Sequence, residues 1–196
     1  ALKQLYTGAE RWDELEQLYR KRIADTADDE LRLELQLALC FLYEEVQNRP
    51  SEAIASYQKA MALKPDKPET HNNLGNALQG KNQLDEAIAS YQRALALKPN
   101  YPEAHSNMGN ALRDKGQIDQ AIACYQRAIA LKPDYHEAHY NLGNALKDKG
   151  QIDQAMACWK QGLAINSNHT ETHYNLGNAL KDEGQIDQAI IHYQRA

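Results

Sequence analysis

The sequence predicts an all-α protein, a solenoid built from antiparallel helix pairs. Two sets of residues recur at intervals of thirty-four positions along the 196-residue chain. They are Gly75, Gly109, Gly143 and Gly177, and His71, His105, His139 and His173. Each interval contains two apolar patterns with helical spacing, which is typical of repeats that complete one another's cores by stacking.

The first helix of each repeat is predicted from the copy at residues 102–135. Leu112 lies four positions after Met108. Ala104 and Ala111 fall on the same side, so one apolar stripe faces the partner helix. Gly109 interrupts this stripe at a cost of about 1 kcal/mol in helix propensity relative to alanine. We expect the missing side chain to let the second helix cross closely.

The turn and the second helix follow from residue types at fixed positions. Residues suited to a left-handed turn conformation are Asn82, Gly116, Gly150 and Gly184. Residues predicted to cap the second helix are Asp119, Asp153 and Asp187. Residues predicted to be buried in that helix are Ala121, Ile122, Tyr125, Ala128 and Ile129. Pro133 then ends the pair.

Composition argues against several classes of function. The formal net charge is -5, with 42% hydrophobic and 25% charged residues. Such a chain lacks the basic surface that most nucleic-acid binders need. It contains no run of eighteen apolar residues, so no membrane span is expected. We therefore expect neither nucleic acid nor a membrane as a partner, and a cytoplasmic location.

No residues have the spacing of a catalytic or metal site. Cys40, Cys124 and Cys158 are widely spaced, which argues against a disulfide framework or a zinc site. The four repeating histidines follow the helix-pair period, which predicts a packing or hydrogen-bonding role between helices. The sequence contains no glycine-rich phosphate loop and no nucleophile elbow. It therefore predicts a protein without catalytic activity, metal or cofactor.

The repeat resembles the tetratricopeptide repeat, or TPR. The residues that carry the resemblance are Gly109, Ala121, Tyr125, Ala128 and Pro133, whose pattern recurs over residues 68–196. The resemblance implies a right-handed superhelical solenoid in which the first helices form a concave wall. Complete repeats are expected at 68–101, 102–135 and 136–169, and a truncated repeat without a capping helix at 170–196.

Residues 1–67 are predicted to hold degenerate helix pairs of the same continuous solenoid. The residues that match a second helix and its terminal proline are Ala53, Tyr57, Ala60 and Pro65. The preceding first helix fits only if one extra residue is placed in the turn at Asn48, Arg49 and Pro50. An earlier second helix is predicted to include Leu15 and Tyr19, with residues 1–7 as the end of a truncated first helix.

Each first helix carries two asparagines three positions apart, which share one helix face. The pairs are Asn73 and Asn76, Asn107 and Asn110, Asn141 and Asn144, and Asn175 and Asn178. Asparagine is roughly half a kcal/mol poorer than alanine inside a helix, so local propensity does not explain its use. Three explanations stay open: bonds that fix repeat geometry, recent duplication, and contact of the carboxamides with a peptide backbone.

The TPR resemblance favours peptide contact, because these positions commonly meet peptide ligands in that family. It implies an extended peptide or disordered segment as the partner, contacted above all by the first asparagine of each pair. The amide ladder is similar to that in the superhelical arm of the O-linked N-acetylglucosamine transferases. The predicted rim of the groove consists of Tyr140 and Tyr174. Three cations one turn further on, Arg113, Lys147 and Lys181, are either further rim residues or a solvated face. The family also includes clamps that bind the C-terminal carboxylate of chaperones through lysine or arginine. That function is disfavoured here, because the corresponding positions hold Glu69, Glu103, Glu137 and Glu171.

Three functions are compatible with these patterns. The preferred interpretation is a non-catalytic scaffold that binds a peptide through the asparagine ladder. The second is the substrate-recruiting arm of a larger enzyme, such as a glycosyltransferase of the kind just named. The third is a structural or self-association module that joins end to end through its final helix. That helix is expected to expose Ile186, Ala189, Ile190 and Tyr193.

Overall fold

A computed structural model describes residues 11–196 of the chain. The helix end predicted at residues 1–7 lies outside the described residues. Residues 11–196 contain eleven α-helices and no strand. The helices are α1 (Trp12–Asp25), α2 (Asp29–Phe41), α3 (Pro50–Leu63), α4 (Pro68–Gly80), α5 (Leu84–Leu97), α6 (Pro102–Asp114), α7 (Ile118–Leu131), α8 (His136–Asp148), α9 (Ile152–Ile165), α10 (Thr170–Asp182) and α11 (Ile186–Tyr193).

The helices form two compact units that divide between Pro99 and Asn100. In the first unit α1 packs on α2, α2 on α3, α3 on α4 and α4 on α5. In the second unit the pairs are α6 with α7, α8 with α9 and α10 with α11, and α7 and α9 also pack on the helix that follows them. Each unit is therefore an array of consecutive helix pairs. The predicted all-α solenoid fold is confirmed.

The repeating glycines are the points where paired helices cross. A Cβ added at Gly109 would lie 2.6 Å from Cε1 of Tyr125, and one at Gly75 would lie 2.5 Å from Cε1 of Tyr91. At Gly143 the neighbour is Trp159, whose Cδ1 would lie 2.5 Å away. These separations are far below ordinary van der Waals contact. The close crossing predicted at Gly109 is confirmed.

The turns between paired helices have the predicted left-handed residues. Gly116 and Gly150 have φ of 80°, Gly184 has φ of 77°, and Asn82 has φ of 59°. The amide of Gln117 donates to the carbonyl of Leu112 at 2.8 Å, which closes the helix end in a Schellman pattern. The local conformation of these turns is therefore set by residue type.

Two predictions about the second helix are wrong in detail. Helix α7 begins one residue earlier than Asp119, and its capping position, Gln117, makes no side-chain cap bond. Asp119 lies within the first turn and accepts a bond from Nζ of Lys149 at 2.6 Å. Ile122 and Ile129 are half-buried, whereas the alanines and the tyrosine of the predicted set are buried. The tyrosine packs on the glycine of the partner helix, and the alanines leave room for the same close approach of the two helices.

The extra residue near the turn at 48–50 is taken up inside the first helix. Helix α2 continues into a π-helical segment, Leu42–Val46. Asn48 has φ of 50°, so it takes the same left-handed position as Gly116 in the later turn. The turn itself has its regular length. The prediction of an insertion in the turn is therefore replaced by a π-helical insertion, the usual way in which an α-helix accommodates one added residue.

Candidate functional site

A groove runs along the first helices of the second unit and is lined by the first asparagine of each pair. Asn107 on α6 and Asn141 on α8 line a segment of about 460 Å³. Asn175 on α10 lines an adjoining segment of about 550 Å³. Tyr140 and Glu171 line both segments, so the two join into one groove. The remaining lining residues are Ser106, Asn110, Tyr135, Glu137, His169, Thr170, Tyr174, Tyr193 and Ala196.

The helical period places these asparagines opposite the core. On α8 the next residues, Leu142, Ala145 and Leu146, are buried, whereas Asn141 is half-buried. The same division holds on α10, where Leu176 is fully buried. A carboxamide on the open face of such a helix offers both a donor and an acceptor. The groove wall can therefore satisfy either group of a peptide bond.

In three of the four pairs, the second asparagine is held by its own repeat. Oδ1 of Asn110 accepts a hydrogen bond from the hydroxyl of Tyr125 at 2.8 Å. Asn178 accepts in the same way from Tyr193, also at 2.8 Å. In the first unit, Asn76 accepts from its own repeat's tyrosine at 2.8 Å. These bonds join the first and second helices of one pair, so this asparagine stabilises the scaffold.

Asn144 has a different partner because its repeat carries Trp159 in place of the tyrosine. Asn144 accepts a bond from Nδ2 of Asn175 at 2.9 Å, which links neighbouring first helices. Nε1 of Trp159 instead donates to the carbonyl of Tyr140 at 3.3 Å. Asn144 is also buried. This residue is predicted from the sequence as a ligand contact, but its position makes it part of the link between two repeats.

In the first unit the predicted pair Asn73 and Asn76 lines a separate pocket of about 460 Å³. Both side chains are exposed. The other lining residues are Leu37, Phe41, Glu44, Glu45, Tyr57, Lys67, Glu69 and Thr70. The pocket is formed by α2 with its π-helical extension, α3 and α4. It therefore combines amides, carboxylates and an apolar wall.

Of the predicted rim residues, the two tyrosines line the groove and the three cations do not line it. Tyr140 lines both segments, and Tyr174 is 56% exposed in the more apolar one. Nε of Arg113 lies 3.1 Å from Oδ2 of Asp148, which bridges α6 and α8. The remaining predicted cations, Lys147 and Lys181, are exposed outside both segments.

Two carboxylates also line the groove of the second unit. Glu137 precedes Asn141 by four residues, so both lie on one face of α8, and Glu171 has the same relation to Asn175 on α10. Burial raises the pKa of Tyr135, and the charge of Glu137 adds to this rise. From the sequence, these glutamates were considered only because they occupy the positions that carry cations in chaperone clamps. Their spacing from the asparagines was the signal that places them in the groove.

Three of the four repeating histidines make the same structural hydrogen bond. Nε2 of His71 donates to the carbonyl of Pro65 at 2.8 Å, and Nε2 of His139 donates to that of Pro133 at 3.0 Å. His173 makes the same bond to Ser167, also at 3.0 Å. In each case the ring ties the first helix to the loop before it. A hydrogen-bonding role is therefore found at these three positions, but these bonds join a helix to a loop, not two helices as predicted.

The described residues show no arrangement suited to metal chemistry. Residues 11–196 contain no group of three histidine, cysteine or acidic side chains able to hold an ion. Burial raises the pKa of the Cys124 thiol to about 11, which makes it a poor nucleophile. Over the same range, no helix has the length and apolar composition required to cross a bilayer.

The consecutive helix pairs, close glycine crossings and amide-lined groove define the class of helix-pair repeat proteins. A TPR repeat profile matches residues 47–82, 80–112, 109–150 and 143–182, and a tetratricopeptide repeat profile matches residues 170–196. The matches cover most of the chain. The protein belongs to the tetratricopeptide-repeat family. TPR repeats form protein-interaction scaffolds, and this membership supports that role for the chain.

Solved structures show the same fold. A crystal structure of MamA is 26% identical, with a TM-score of 0.70 over 78% of this chain and 89% of that one. YrrB, described as a TPR protein with an unusual peptide-binding site, is 22% identical, with a TM-score of 0.67 over 90% of this chain and 89% of that one. PilF of Pseudomonas aeruginosa is 20% identical, with a TM-score of 0.75 over 94% of this chain and 76% of that one. No curated protein sequence gives a match.

Proposed function

We propose that the protein is a non-catalytic scaffold that binds an extended peptide or disordered segment in the groove of α6, α8 and α10. The observation that carries the proposal is the lining of this groove by Asn107, Asn141 and Asn175, one from each repeat. Their carboxamides recur at the helix-pair period, so they suit a ligand whose own hydrogen-bonding groups recur along its backbone.

The different contacts of the two asparagines in each repeat support this function. Three of the second asparagines stabilise their own repeats through bonds from tyrosine hydroxyls, such as that from Tyr125 to Asn110. These bonds offset the cost of those asparagines in a helix. The first asparagines of the second unit line the groove instead, where contact with a ligand would offset the same cost. Asn175 also donates to Asn144. Recognition through the backbone gives affinity with little sequence preference, and the tyrosines along the groove add selectivity.

The helix spacing sets the expected length of the ligand. Packed helices lie about 8–10 Å apart, and an extended chain advances about 3.3 Å per residue. A bound segment therefore moves along the groove by about three residues per repeat. YrrB, with the same fold, is described as having a peptide-binding site. That description supports a peptide as the ligand class here.

Replacement of the first asparagines tests the proposal. The variant carries alanine at Asn107, Asn141 and Asn175. The matched control carries alanine at Gln120, Gln154 and Gln188, which are exposed carboxamides at the same period on the second helices. The probes are fluorescein-labelled, unstructured peptides of about twelve residues, measured by fluorescence anisotropy. Thermal melts first establish that all three proteins are equally folded.

We expect the groove variant to bind these peptides at least about tenfold more weakly than the native protein. The control variant should keep native affinity. Unchanged binding by the groove variant would show that the first asparagines belong to the scaffold, and would overturn the proposal.

A second candidate function is self-association through α11. Ile186, Ile190 and Ile191 are 51%, 47% and 50% exposed on this helix. The sequence predicted that Ala189 would share this exposure, but Ala189 is buried because it packs against the first helix of its own pair. Light scattering at high micromolar concentration tests the candidate. A dimer that dissociates in the Ile190→Glu variant would support it, and a monomeric native chain would exclude it.

A further inference from the structure

The pocket of the first unit differs chemically from the groove of the second, and the difference begins with the π-helical insertion. Tyr57 lies thirty-four residues before Tyr91 and occupies the same place in its repeat. Its hydroxyl donates to Oε2 of Glu44 at 2.6 Å, whereas that of Tyr91 donates to an asparagine. The insertion segment, Leu42–Val46, thus brings two adjacent glutamates to the pocket, Glu44 and Glu45. We call this cavity the acidic pocket.

The carboxylates of the acidic pocket are only partly neutralised by the protein. Oε1 of Glu69 lies 3.7 Å from Nζ of Lys98. Lys67 also lines the pocket, but within the described chain it forms no ion pair with Glu44 or Glu45. Burial raises the pKa of Glu44, the hydrogen bond from Tyr57 opposes this rise, and the charge of Glu45 adds to it. A cation placed between the two glutamates would relieve their repulsion.

A buried hydroxyl without a partner provides an independent indication of a ligand. Thr70 lines the acidic pocket, is 1% exposed, and its Oγ1 has no hydrogen-bond partner. Thr172 occupies the same position three repeats further along and is also buried. Its hydroxyl bonds to Nδ1 of His169 at 2.8 Å. Since a buried hydroxyl is costly without a partner, Thr70 is suited to accept a bond from a donor that enters the pocket.

The pocket also has an apolar wall beside these acceptors. Phe41 is 51% exposed, and Leu37 lies one helical turn before it. A ligand group that matches both parts needs an aliphatic stem and a multiple hydrogen-bond donor at its end. Lysine and arginine side chains have this composition. The exposed aromatic ring can in addition lie against the cation.

We propose that the acidic pocket binds a lysine or arginine side chain of a peptide segment held by the protein. The aliphatic stem lies on Phe41, and the cationic group donates to Glu44, Glu45 and Oγ1 of Thr70. This inference rests on the proposed function, because the side chain belongs to a bound peptide. It gives the first unit a preference for segments with a basic side chain.

Four labelled peptides test the inference with the full chain. Each has about twelve residues of glycine, serine and alanine, with a central lysine, arginine, norleucine or glutamate. Binding is measured by fluorescence anisotropy to the native protein and to three variants. Glu45→Gln removes an exposed charge of the pocket, and Thr70→Val removes the unpartnered hydroxyl. Glu34→Gln, an exposed position on α2 outside the pocket, is the matched control.

The lysine and arginine peptides should bind at least about fivefold more tightly than the norleucine peptide, and the glutamate peptide should bind most weakly. Glu45→Gln should remove most of this advantage, and Thr70→Val should reduce it by about threefold. The Glu34→Gln control should keep it. Added salt should narrow the difference between lysine and norleucine, because the pocket is open to solvent.

The outcomes separate this inference from the proposed function. Equal binding of the lysine and norleucine peptides would overturn the inference and leave the backbone-binding function standing. An advantage of lysine that persists in Glu45→Gln and Thr70→Val would also overturn it, because the cation would then bind elsewhere. If none of the peptides binds, the proposed function fails, and the specificity pocket fails with it.

Discussion

Replacing Gly143 with alanine tests whether the helix pairs depend on a missing side chain. A Cβ at this position would lie 2.5 Å from Cδ1 of Trp159 and 2.9 Å from its Cε2. Ordinary carbon contacts need about 3.5–4.0 Å, so ring and helix must separate by about 1 Å. Trp159 has no exposed surface. Its ring therefore cannot turn into solvent, and the two helices must move apart.

The expected loss of stability follows from three terms. Overpacking a close contact costs about 1–3 kcal/mol. Movement of the Trp159 ring also weakens its bond to the carbonyl of Tyr140, a bond of 3.3 Å that contributes about 1 kcal/mol. In the opposite direction, alanine stabilises the helix by about 1 kcal/mol relative to glycine. We expect Gly143→Ala to lower the free energy of unfolding by about 2 kcal/mol, with a fall in Tm of about 4–8 °C.

Urea denaturation followed by circular dichroism at the helical band measures this change. The matched control is Gly80→Ala on α4, where an added Cβ meets nothing within 4 Å. That substitution should leave the stability unchanged or raise it by up to about 1 kcal/mol. In a Trp159→Leu background, the added methyl at Gly143 should cost less than in the native chain. A Gly143→Ala variant as stable as the native protein would refute the close-crossing argument.

Three further predictions follow from single side chains. Thr70→Val should raise the free energy of unfolding by about 1 kcal/mol, because it removes an unpartnered buried hydroxyl. Thr172→Val should lower the free energy of unfolding by a similar amount, since that hydroxyl has a partner. Changes of the same sign for the two variants in urea denaturation would contradict this reasoning. Asn110→Ala should cost about 1–2 kcal/mol, because it leaves the hydroxyl of fully buried Tyr125 without its acceptor; a variant with native stability in thermal melts would show that this bond is dispensable. With its pKa raised to about 11, Cys124 should stay a thiol below about pH 10, so iodoacetamide should label it much more slowly in the native than in the urea-unfolded chain at pH 8. Equal labelling rates by mass spectrometry would disprove its protection.

The two asparagines of each repeat show how far the candidate site could be predicted from sequence. Residues three apart share a helix face, so Asn141 and Asn144 both met the criterion for the groove. In the structure Asn141 lines the groove and Asn144 bonds to Asn175. The distinction depends on what the adjacent helices place beside each amide. The spacing along one helix contains no such information.

The predicted rim illustrates the same difference. Tyr140 and Tyr174 were predicted as aromatic rim residues on the same wall as the asparagines, and both line the groove. Arg113 was chosen by position on the same helix, yet it is engaged by Asp148 of the following repeat. An exposed charged side chain forms an ion pair with the nearest opposite charge in the folded protein. That partner is set by the packing of two helices.

The sequence by itself determined the helix pairs, their period, the left-handed turns and the close crossings at glycine. These features depend on contacts within a few residues or on a stripe repeated at helical spacing, so Gly109 and Gly116 reveal them directly. The tertiary structure decided where the extra residue of the first unit is absorbed and what surrounds Glu44 and Thr70. The acidic pocket is built from three helices and a π-helical segment, and its chemistry exists only where their side chains converge. Local propensity sets each helix, whereas the pocket depends on distances between helices that propensity does not control.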